Sequence, residues 1–292
     1  MSAEKGSAPQ VILLTGVLGG IGSAIGELMH ERGYLVVGLD RCPPKDGQVP
    51  AYIDKFIECD IRTLVDDSAE ATELGQTILD AVAVLAGGAK LTALVNNAAY
   101  QVVAPVEETS MTMWSEVRCP RPPPATQQTM SHPFTFLLFL LVFSLQVMAT
   151  NVGAPFALVK LFLPSLVESK GSVINIASIH ANLTKPEFVA YASSKGALVS
   201  LTRSLAVELG PKNVRVNAVL PAATSTPMLM SGFDGKAEAF KALEGMHPLN
   251  RICHPREIAE FVEFLTSDKC GFITGSCLQI DGGIGARLHD PV

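Results

Sequence analysis

The chain has 292 residues, 48% of them hydrophobic, and a formal net charge of −6 at pH 7. That is apolar material for one large core, and an acidic balance without a basic stripe or a run of like charge argues against nucleic acid as a partner. The six cysteines, Cys42, Cys59, Cys119, Cys253, Cys270 and Cys277, show neither C-x-x-C spacing nor a neighbouring histidine pair, which argues against a metal site or a disulfide framework, and the polar opening MSAEKGSAPQ holds no apolar signal core, so a cytoplasmic location is expected.

Gln10 to Thr15 (QVILLT) predicts a buried strand and runs straight into Gly16-Val-Leu-Gly-Gly20-Ile21-Gly22, then a helical pattern to about Arg32. Glycines let the backbone approach a pyrophosphate, and the free N–H groups at a helix start attract its charge. The competing possibility is a tight strand-to-helix turn without a ligand. A second buried strand, Tyr34 to Leu39, ends in Asp40. A carboxylate there can accept both hydroxyls of an adenosine ribose and repel a 2′-phosphate, which favours NAD; Arg41, next in line, is the residue that could receive that phosphate instead. Beyond the turn Pro43 to Pro50, Lys55 to Cys59 predicts the third strand and delivers Asp60 and Ile61. Leu64 to Leu85 has helical periodicity ended by Gly87-Gly88, and Leu91 to Val95 predicts the fourth strand, leading to Asn96-Asn97-Ala98-Ala99. Thr109 to Val117 begins a helix with the single tryptophan, Trp114, which resumes at Val147 and runs through Asn151 to Leu163.

Ser172 to Ala177 predicts the fifth strand, closed by Ser178. A hydroxyl at a strand's carboxyl end sits in the crevice where open parallel sheets bind ligands, and it can donate to a substrate oxygen. Ile179 to Phe188 is expected to be the loop beside the substrate and Val189 to Gly210 a long helix. Within that helix Tyr191 and Lys195 stand four apart, on one face. A lysine beside a tyrosine favours the phenolate, and a phenol tuned below its free value of ~10 can pass a proton to or from a substrate oxygen. Taken alone, Y-x-x-x-K is an ordinary exposed pair. With the acid–base role filled, His180 is assigned to the pocket lining. Val214 to Leu220 predicts the sixth strand, followed by Pro221-Ala-Ala-Thr224-Ser-Thr226-Pro227; Met228 to Pro248 is a candidate lid, Pro255 to Ser267 a helix, and Cys277 to Ile280 a last strand before Asp281-Gly282-Gly283. Strands alternating with helices define an α/β class: a single doubly wound parallel sheet with helices on both faces and its site at the strands' carboxyl ends.

Thr15-Gly-x-x-x-Gly20-x-Gly22, Asn96-Asn97-Ala98-Ala99, Ser178 and Tyr191-Ala-Ser-Ser-Lys195 stand in one order along nearly the whole chain, and in this the sequence resembles the short-chain dehydrogenase/reductase family. The resemblance implies a Rossmann-type domain over residues 1–292 and an oxidoreductase that interconverts a secondary alcohol and a ketone with NAD or NADP. It assigns Asn151, Ser178, Tyr191 and Lys195 to catalysis, with Asn151 anchoring a relay water, Ser178 polarising the carbonyl, and Lys195 depressing the Tyr191 pKa and holding the ribose. It assigns Gly16, Gly20, Ile21, Gly22, Asp40, Asp60, Ile61, backbone groups of Asn97 and Ala98, Tyr191, Lys195, Thr224 and Thr226 to the cofactor, with Asp60 on the adenine amino group. Family members that prefer NADP often carry a basic residue within the stretch Val17 to Gly19, where this chain has none, which again favours NAD. No metal is implied. The family's tetramers imply a homo-oligomer, tetramer or dimer, acting on a small alcohol or ketone, with no nucleic acid and no membrane span. Two departures stand out: Ala99 and Ala222 replace glycines, and Ala222 is expected to be strained if its turn needs positive φ. A catalytically silent dinucleotide-binding sensor or assembly protein is the alternative; the complete Asn-Ser-Tyr-Lys set speaks against it.

Residues 117–146 match nothing in that family. The segment opens on Arg118-Cys-Pro-Arg-Pro-Pro-Pro124 and closes on the apolar run Phe134 to Leu145, inside what should be one helix. The uncharged stretch Phe134 to Ala149 has 16 residues, short of the ~18–20 that span a bilayer, and it lacks the charged face of a lipid-surface helix. Trp114 and Asn151 are 37 apart, and removing the 30 residues leaves 7, the family's spacing, with a joined text Trp-Ser-Glu-Val-Met-Ala-Thr-Asn. Phe, Leu, Ser and Pro codons are pyrimidine-rich, valine codons begin with GT, and Gln146 can be encoded by CAG. A translated intron in a eukaryotic gene is the expectation.

Overall fold

The computed structural model describes residues 10–87, 90–103, 105 and 146–288. The expected Thr109 to Val117 helix and the anomalous segment up to residue 145 lie outside them. Among the described residues seven parallel strands form one sheet in the order β3-β2-β1-β4-β5-β6-β7. They are β1 (Val11–Thr15), β2 (Leu35–Asp40), β3 (Lys55–Glu58), β4 (Leu91–Asn96), β5 (Ser172–Ile176), β6 (Arg215–Pro221) and β7 (Cys277–Ile280).

The alternation of side chains along a strand divides the core in two. Val11 and Leu13 of β1 point into one cluster with Ile78 and Val82 of α2 (Ala69–Ala86) and with Leu158, Phe162 and Leu166. Their neighbours Ile12 and Leu14 point into the other, with Ile25, Leu28 and Met29 of α1 (Gly20–Glu31) and Ile258, Val262 and Leu265 of a late helix, Pro255–Thr266. Apolar runs without polar alternation are what a strand covered on both faces requires.

Five further α-helices complete the described fold. Gln146–Met148, a π-helical turn Ala149–Gly153 and Ala154–Ser169 run on as one helix, α3, in which the Ala154 N–H reaches back five residues to the Ala149 carbonyl. By length and composition its Ala149–Ser169 part is the one helix among the described residues apolar enough to cross a membrane; in this fold its apolar face, Leu158, Phe162 and Leu166, is spent on the sheet. The long helix α4 (Val189–Leu209) follows β5; α5 (Pro227–Ser231) and α6 (Ala237–Met246) occupy the expected lid; α7 is Pro255–Thr266.

One expected element is divided. The periodicity from Leu64 to Leu85 predicts a single helix, but Ile61–Val65 is a 3₁₀ turn and α2 begins only at Ala69. Local capping decides this: the Ser68 hydroxyl accepts from Ala71 N at 3.0 Å while the Asp66 carboxylate accepts from Ser68 N at 3.0 Å. Ala222 is not strained, since positive φ outside glycine is confined to Lys170, Glu187, Asn213 and Asn250 among the described residues; its N–H instead extends the β6–β7 pairing to the Ile280 carbonyl at 3.0 Å.

Candidate active site

The direction of winding reverses between β1 and β4, and the loops leaving those two strands meet there. Gly16 leaves β1 with φ +66°, and a Cβ on it would come within 2.9 Å of the Ala98 Cα. A Cβ on Gly22 would lie 2.0 Å from the Gly16 carbonyl oxygen, and one on Gly20 2.8 Å from the Thr226 side chain. These glycines are therefore demanded by contact. Gly19 caps α1 without any side-chain bond, so the first-turn N–H groups of Gly20, Ile21 and Gly22 have no intrahelical acceptor, while the Ile21 side chain packs against the core. A glycine cradle backed by an uncapped helix N-terminus fits a dinucleotide pyrophosphate.

Asp40 ends β2 at the rim of this cradle. Its carboxylate accepts from Leu18 N at 3.0 Å and Cys42 N at 3.2 Å, which aims it alongside the loop. Tyr52, which the sequence patterns did not single out, donates to the Val17 carbonyl at 3.4 Å and packs on Gly26; burial, with Glu27 and Asp40 nearby, pushes its phenol up to about 12. Asp60 stands at the tip of β3, but its carboxylate is already gripped by the Arg62 guanidinium and accepts from Arg62 N at 3.0 Å. Burial opposes ionisation of Asp60, and the Arg62 bonds outweigh it, so its pKa lies below the ordinary value. Ile61 is buried in the core beside it.

Asn97 serves the cradle through its side chain, donating to the Thr15 and Gly16 carbonyls at 3.0 Å each. The Thr15 hydroxyl accepts from Asn97 N at 3.0 Å and Ala98 N at 2.9 Å. Of the backbone groups of Asn97 and Ala98, expected to line the cofactor, the N–H groups are thus engaged within the protein. Thr224 is buried, with its hydroxyl donating to the Ala222 carbonyl at 3.1 Å, and Thr226 caps α5 by accepting from Leu229 N at 3.3 Å while packing on Gly20.

The second cluster gathers where β5 ends against α4. Ser178 is buried, and its hydroxyl accepts the His180 N–H at 3.2 Å. Tyr191 lies in the first turn of α4, with its phenol facing the Ser178 side chain. Lys195, one turn on and 1% exposed, donates its ammonium to the Ile176 carbonyl at 2.8 Å and lies 5.6 Å from the centre of the Tyr191 ring. The expected depression of the Tyr191 pKa by lysine is not what this arrangement produces. Burial raises the phenol above its ordinary value and the Ser178 bond only opposes that; burial lowers Lys195 to about 7, so the cation that should act on the phenol is itself disfavoured.

Asn151 sits in the π-helical turn, 1% exposed. Its side chain accepts from Tyr100 N at 2.7 Å and donates to the Tyr100 carbonyl at 2.9 Å and to the Ser194 hydroxyl at 2.8 Å. Ser194 in turn donates to the Tyr191 carbonyl at 2.7 Å. Both amide hydrogens of Asn151 are taken by this clamp, and its oxygen accepts from Tyr100 N. Ser194 went unread in the sequence, although its place three residues after Tyr191 put it on the same helix face.

The family model described as short chain dehydrogenase matches residues 10–118, and that described as enoyl-(acyl carrier protein) reductase matches residues 143–285. The 2,5-dichloro-2,5-cyclohexadiene-1,4-diol dehydrogenase of Sphingobium indicum is 38% identical over 143 residues, which are 48% of this chain and only 57% of that relative's length. Cyclopentanol dehydrogenase of a Comamonas species is 33% identical over 204 residues, 70% of each chain. A 4-hydroxyisoleucine dehydrogenase solved with NADH superposes with a TM-score of 0.74 at 27% identity, over 96% of this chain and 100% of its own.

Two outcomes follow from the site's geometry. Gly22→Ala, favourable by helix propensity, forces the Gly16 carbonyl out of place and is expected to abolish NADH binding, followed by nucleotide fluorescence, with the far-UV spectrum retained. Lys195 has a folded pKa lowered from 10.5 to about 7, so the unfolded chain holds that proton more tightly; the cost to stability is complete below about pH 7 and fades as pH rises towards 10.5. Lys195→Met is therefore expected to raise Tm in mildly acid buffer by at least ~2–4 °C, with the gap closing towards pH 10.5. A Tm difference independent of pH across that range contradicts this account.

Proposed function

The chain belongs to the short-chain dehydrogenase family, and from that premise we propose that it is an oxidoreductase interconverting a secondary alcohol and a ketone with a nicotinamide cofactor. The observation that carries this is the convergence of Ser178, Tyr191 and Lys195 beside a glycine cradle that a single Cβ would fill. When bound, the cofactor supplies the hydride acceptor or donor. Gly16, Gly20, Gly22 and the first turn of α1 hold its pyrophosphate, Asp40 its adenosine ribose, and Thr226 lies against that cradle. Asp40, braced by Leu18 N and Cys42 N, puts a negative charge where a 2′-phosphate would lie, which supports NAD over NADP as the cofactor.

Tyr191 exchanges the proton with the substrate oxygen. Its phenol is held above its ordinary value, so at neutral pH it is a proton donor, suited to carbonyl reduction; alcohol oxidation needs the phenolate and gains as pH rises. Ser178, whose hydroxyl oxygen accepts the His180 N–H, is the donor that would turn its O–H to the substrate oxygen. Lys195 holds the floor of the site to the Ile176 carbonyl, and Asn151 with Ser194 fixes where α4 places Tyr191. The named activities of the diol and cyclopentanol dehydrogenases support a cyclic or compact secondary alcohol as substrate. A cytoplasmic homo-oligomer is part of the same proposal.

Residues 117–146 are read as an insertion into a single family domain, and the family models, which stop at 118 and resume at 143, support this.

Tyr191→Phe is expected to bind NADH as the wild type does and to lose turnover by about 10²- to 10⁴-fold, the worth of general acid–base catalysis, when reduced cofactor is followed by absorbance across a panel of secondary alcohols and ketones. Cofactor binding without turnover of any panel member by the wild type supports the sensor alternative. For the insertion, a mature transcript lacking the codons of residues 117–146 is expected. A transcript that contains them, yielding abundant soluble active protein, overturns the intron account.

A further inference from the structure

The loop after β5 carries an assembly that the Asn-Ser-Tyr-Lys set does not use. His180 stacks face to face on Phe188, with ring centres 4.5 Å apart and planes 7° from parallel, and meets Tyr191 edge-on at 5.8 Å. Phe188 is itself edge-on to Tyr191 at 6.3 Å, and the Lys185 ammonium lies 4.6 Å over the Phe188 ring. The turn that brings Phe188 under His180 runs through Glu187 at φ +73°, a conformation that costs a non-glycine residue about 1–3 kcal/mol and persists only when its surroundings over-determine it. His180 thus touches both reacting side chains: its backbone N–H holds the Ser178 hydroxyl and its ring borders Tyr191.

The hydrogen bonds of the imidazole define its chemistry. Nδ1 lies 3.2 Å from the Thr184 hydroxyl, and that hydroxyl donates to the Lys185 carbonyl at 3.5 Å. A hydroxyl whose proton is given away accepts from its other neighbour, so Nδ1 carries the hydrogen and Nε2 the lone pair. Burial, and then the charge of Lys185, hold the imidazole below its ordinary pKa, which keeps it neutral and Nε2 an acceptor at physiological pH. Ser178 and Tyr191 take the oxygen that reacts. An acceptor fixed beside them suits a second donor on the substrate.

Building on the oxidoreductase assignment, we propose that His180 is a specificity-determining residue that selects alcohols bearing a second hydroxyl next to the reacting carbon, with Nε2 accepting from that hydroxyl and Thr184 and Phe188 locking the ring. A site built to bond a hydroxyl discriminates against the analogue that lacks it, because the half-buried imidazole acceptor is then left without a partner. The second hydroxyl is only bound; the first is the one oxidised.

The test compares cis-1,2-cyclohexanediol with cyclohexanol, with NAD as oxidant, in the full chain. The wild type is expected to favour the diol in kcat/KM by at least tenfold. His180→Phe, which keeps a ring in the stack and removes the acceptor, is expected to bring that ratio close to one, and Thr184→Val, which frees the tautomer but keeps the imidazole, to reduce it part of the way. A readout without turnover accompanies these: the diol's Kd for NAD-loaded Tyr191→Phe is expected to weaken about tenfold when His180→Phe is added, with the Kd for NAD unchanged. A diol preference and diol Kd that survive His180→Phe overturn the assignment of His180 and leave the dehydrogenase standing. A wild type that oxidises cyclohexanol as readily as the diol does the same. Absence of turnover with any secondary alcohol or ketone, in protein that binds NAD, overturns the dehydrogenase itself and this assignment with it.

Discussion

The bond from the Lys195 ammonium to the Ile176 carbonyl, at 2.8 Å and out of reach of water, sets the position of α4 against the end of β5. A buried ammonium is costly without a partner, so the helix cannot slide without stranding it. Tyr191, one turn earlier, inherits this placement, as does the Ser178 hydroxyl it meets. The chain accepts a lowered lysine pKa in exchange for a fixed geometry of the reacting groups.

The same end of the sheet is tied from a second direction. Asn96 donates to Asn175 at 2.8 Å, Asn175 to Thr202 at 2.9 Å, and Thr202 to the Leu198 carbonyl at 2.8 Å, a buried polar ladder across β4, β5 and α4. Asn151 closes the frame from α3 by donating to Ser194 of α4. Polar chains of this kind rigidify through their linked bonds, and here they converge on α4, the helix that carries Tyr191 and Lys195, with only Asn96 Oδ1 of the ladder left without a partner. The cradle for the cofactor is built differently, from the removal of side chains at Gly16, Gly20 and Gly22 and from Thr15 and Asn97 closing the backbone behind it. Rigid polar ties surround Ser178, Tyr191 and Lys195, and bare backbone lines the glycine cradle.

The strands were legible because parallel strands covered on both faces leave long apolar runs, and their observed ends differ from those expected by one residue, at Val11, Leu35, Asp40, Glu58, Asn96, Ile176, Arg215 and Pro221. The break between Val65 and Ala69 was not legible from periodicity, since the apolar pattern continues across it and only the Asp66 and Ser68 caps interrupt the backbone. The strain expected at Ala222 also rested on an analogy of residue type that the backbone does not bear out, because the chain leaves β6 with ordinary φ.

Sequence alone determined the class of fold, the succession of strands along the chain, the glycine loop and Asp40 at the end of the second strand, because each rests on local spacing and apolar runs, and resemblance to the family singled out Asn151, Ser178, Tyr191 and Lys195; the order of the strands within the sheet came only with the structure. Only the tertiary structure decided what those side chains do with their hydrogen bonds: that the Asn151 amide is spent on Tyr100 and Ser194, that Asp60 is held by Arg62, that Lys195 answers to a carbonyl on β5, and that His180 stacks on Phe188 beside Tyr191. These partners lie up to 51 residues apart in the chain, and burial, which sets the pKa directions of Tyr191 and Lys195, is a property of the packed sheet and helices that no window of sequence contains.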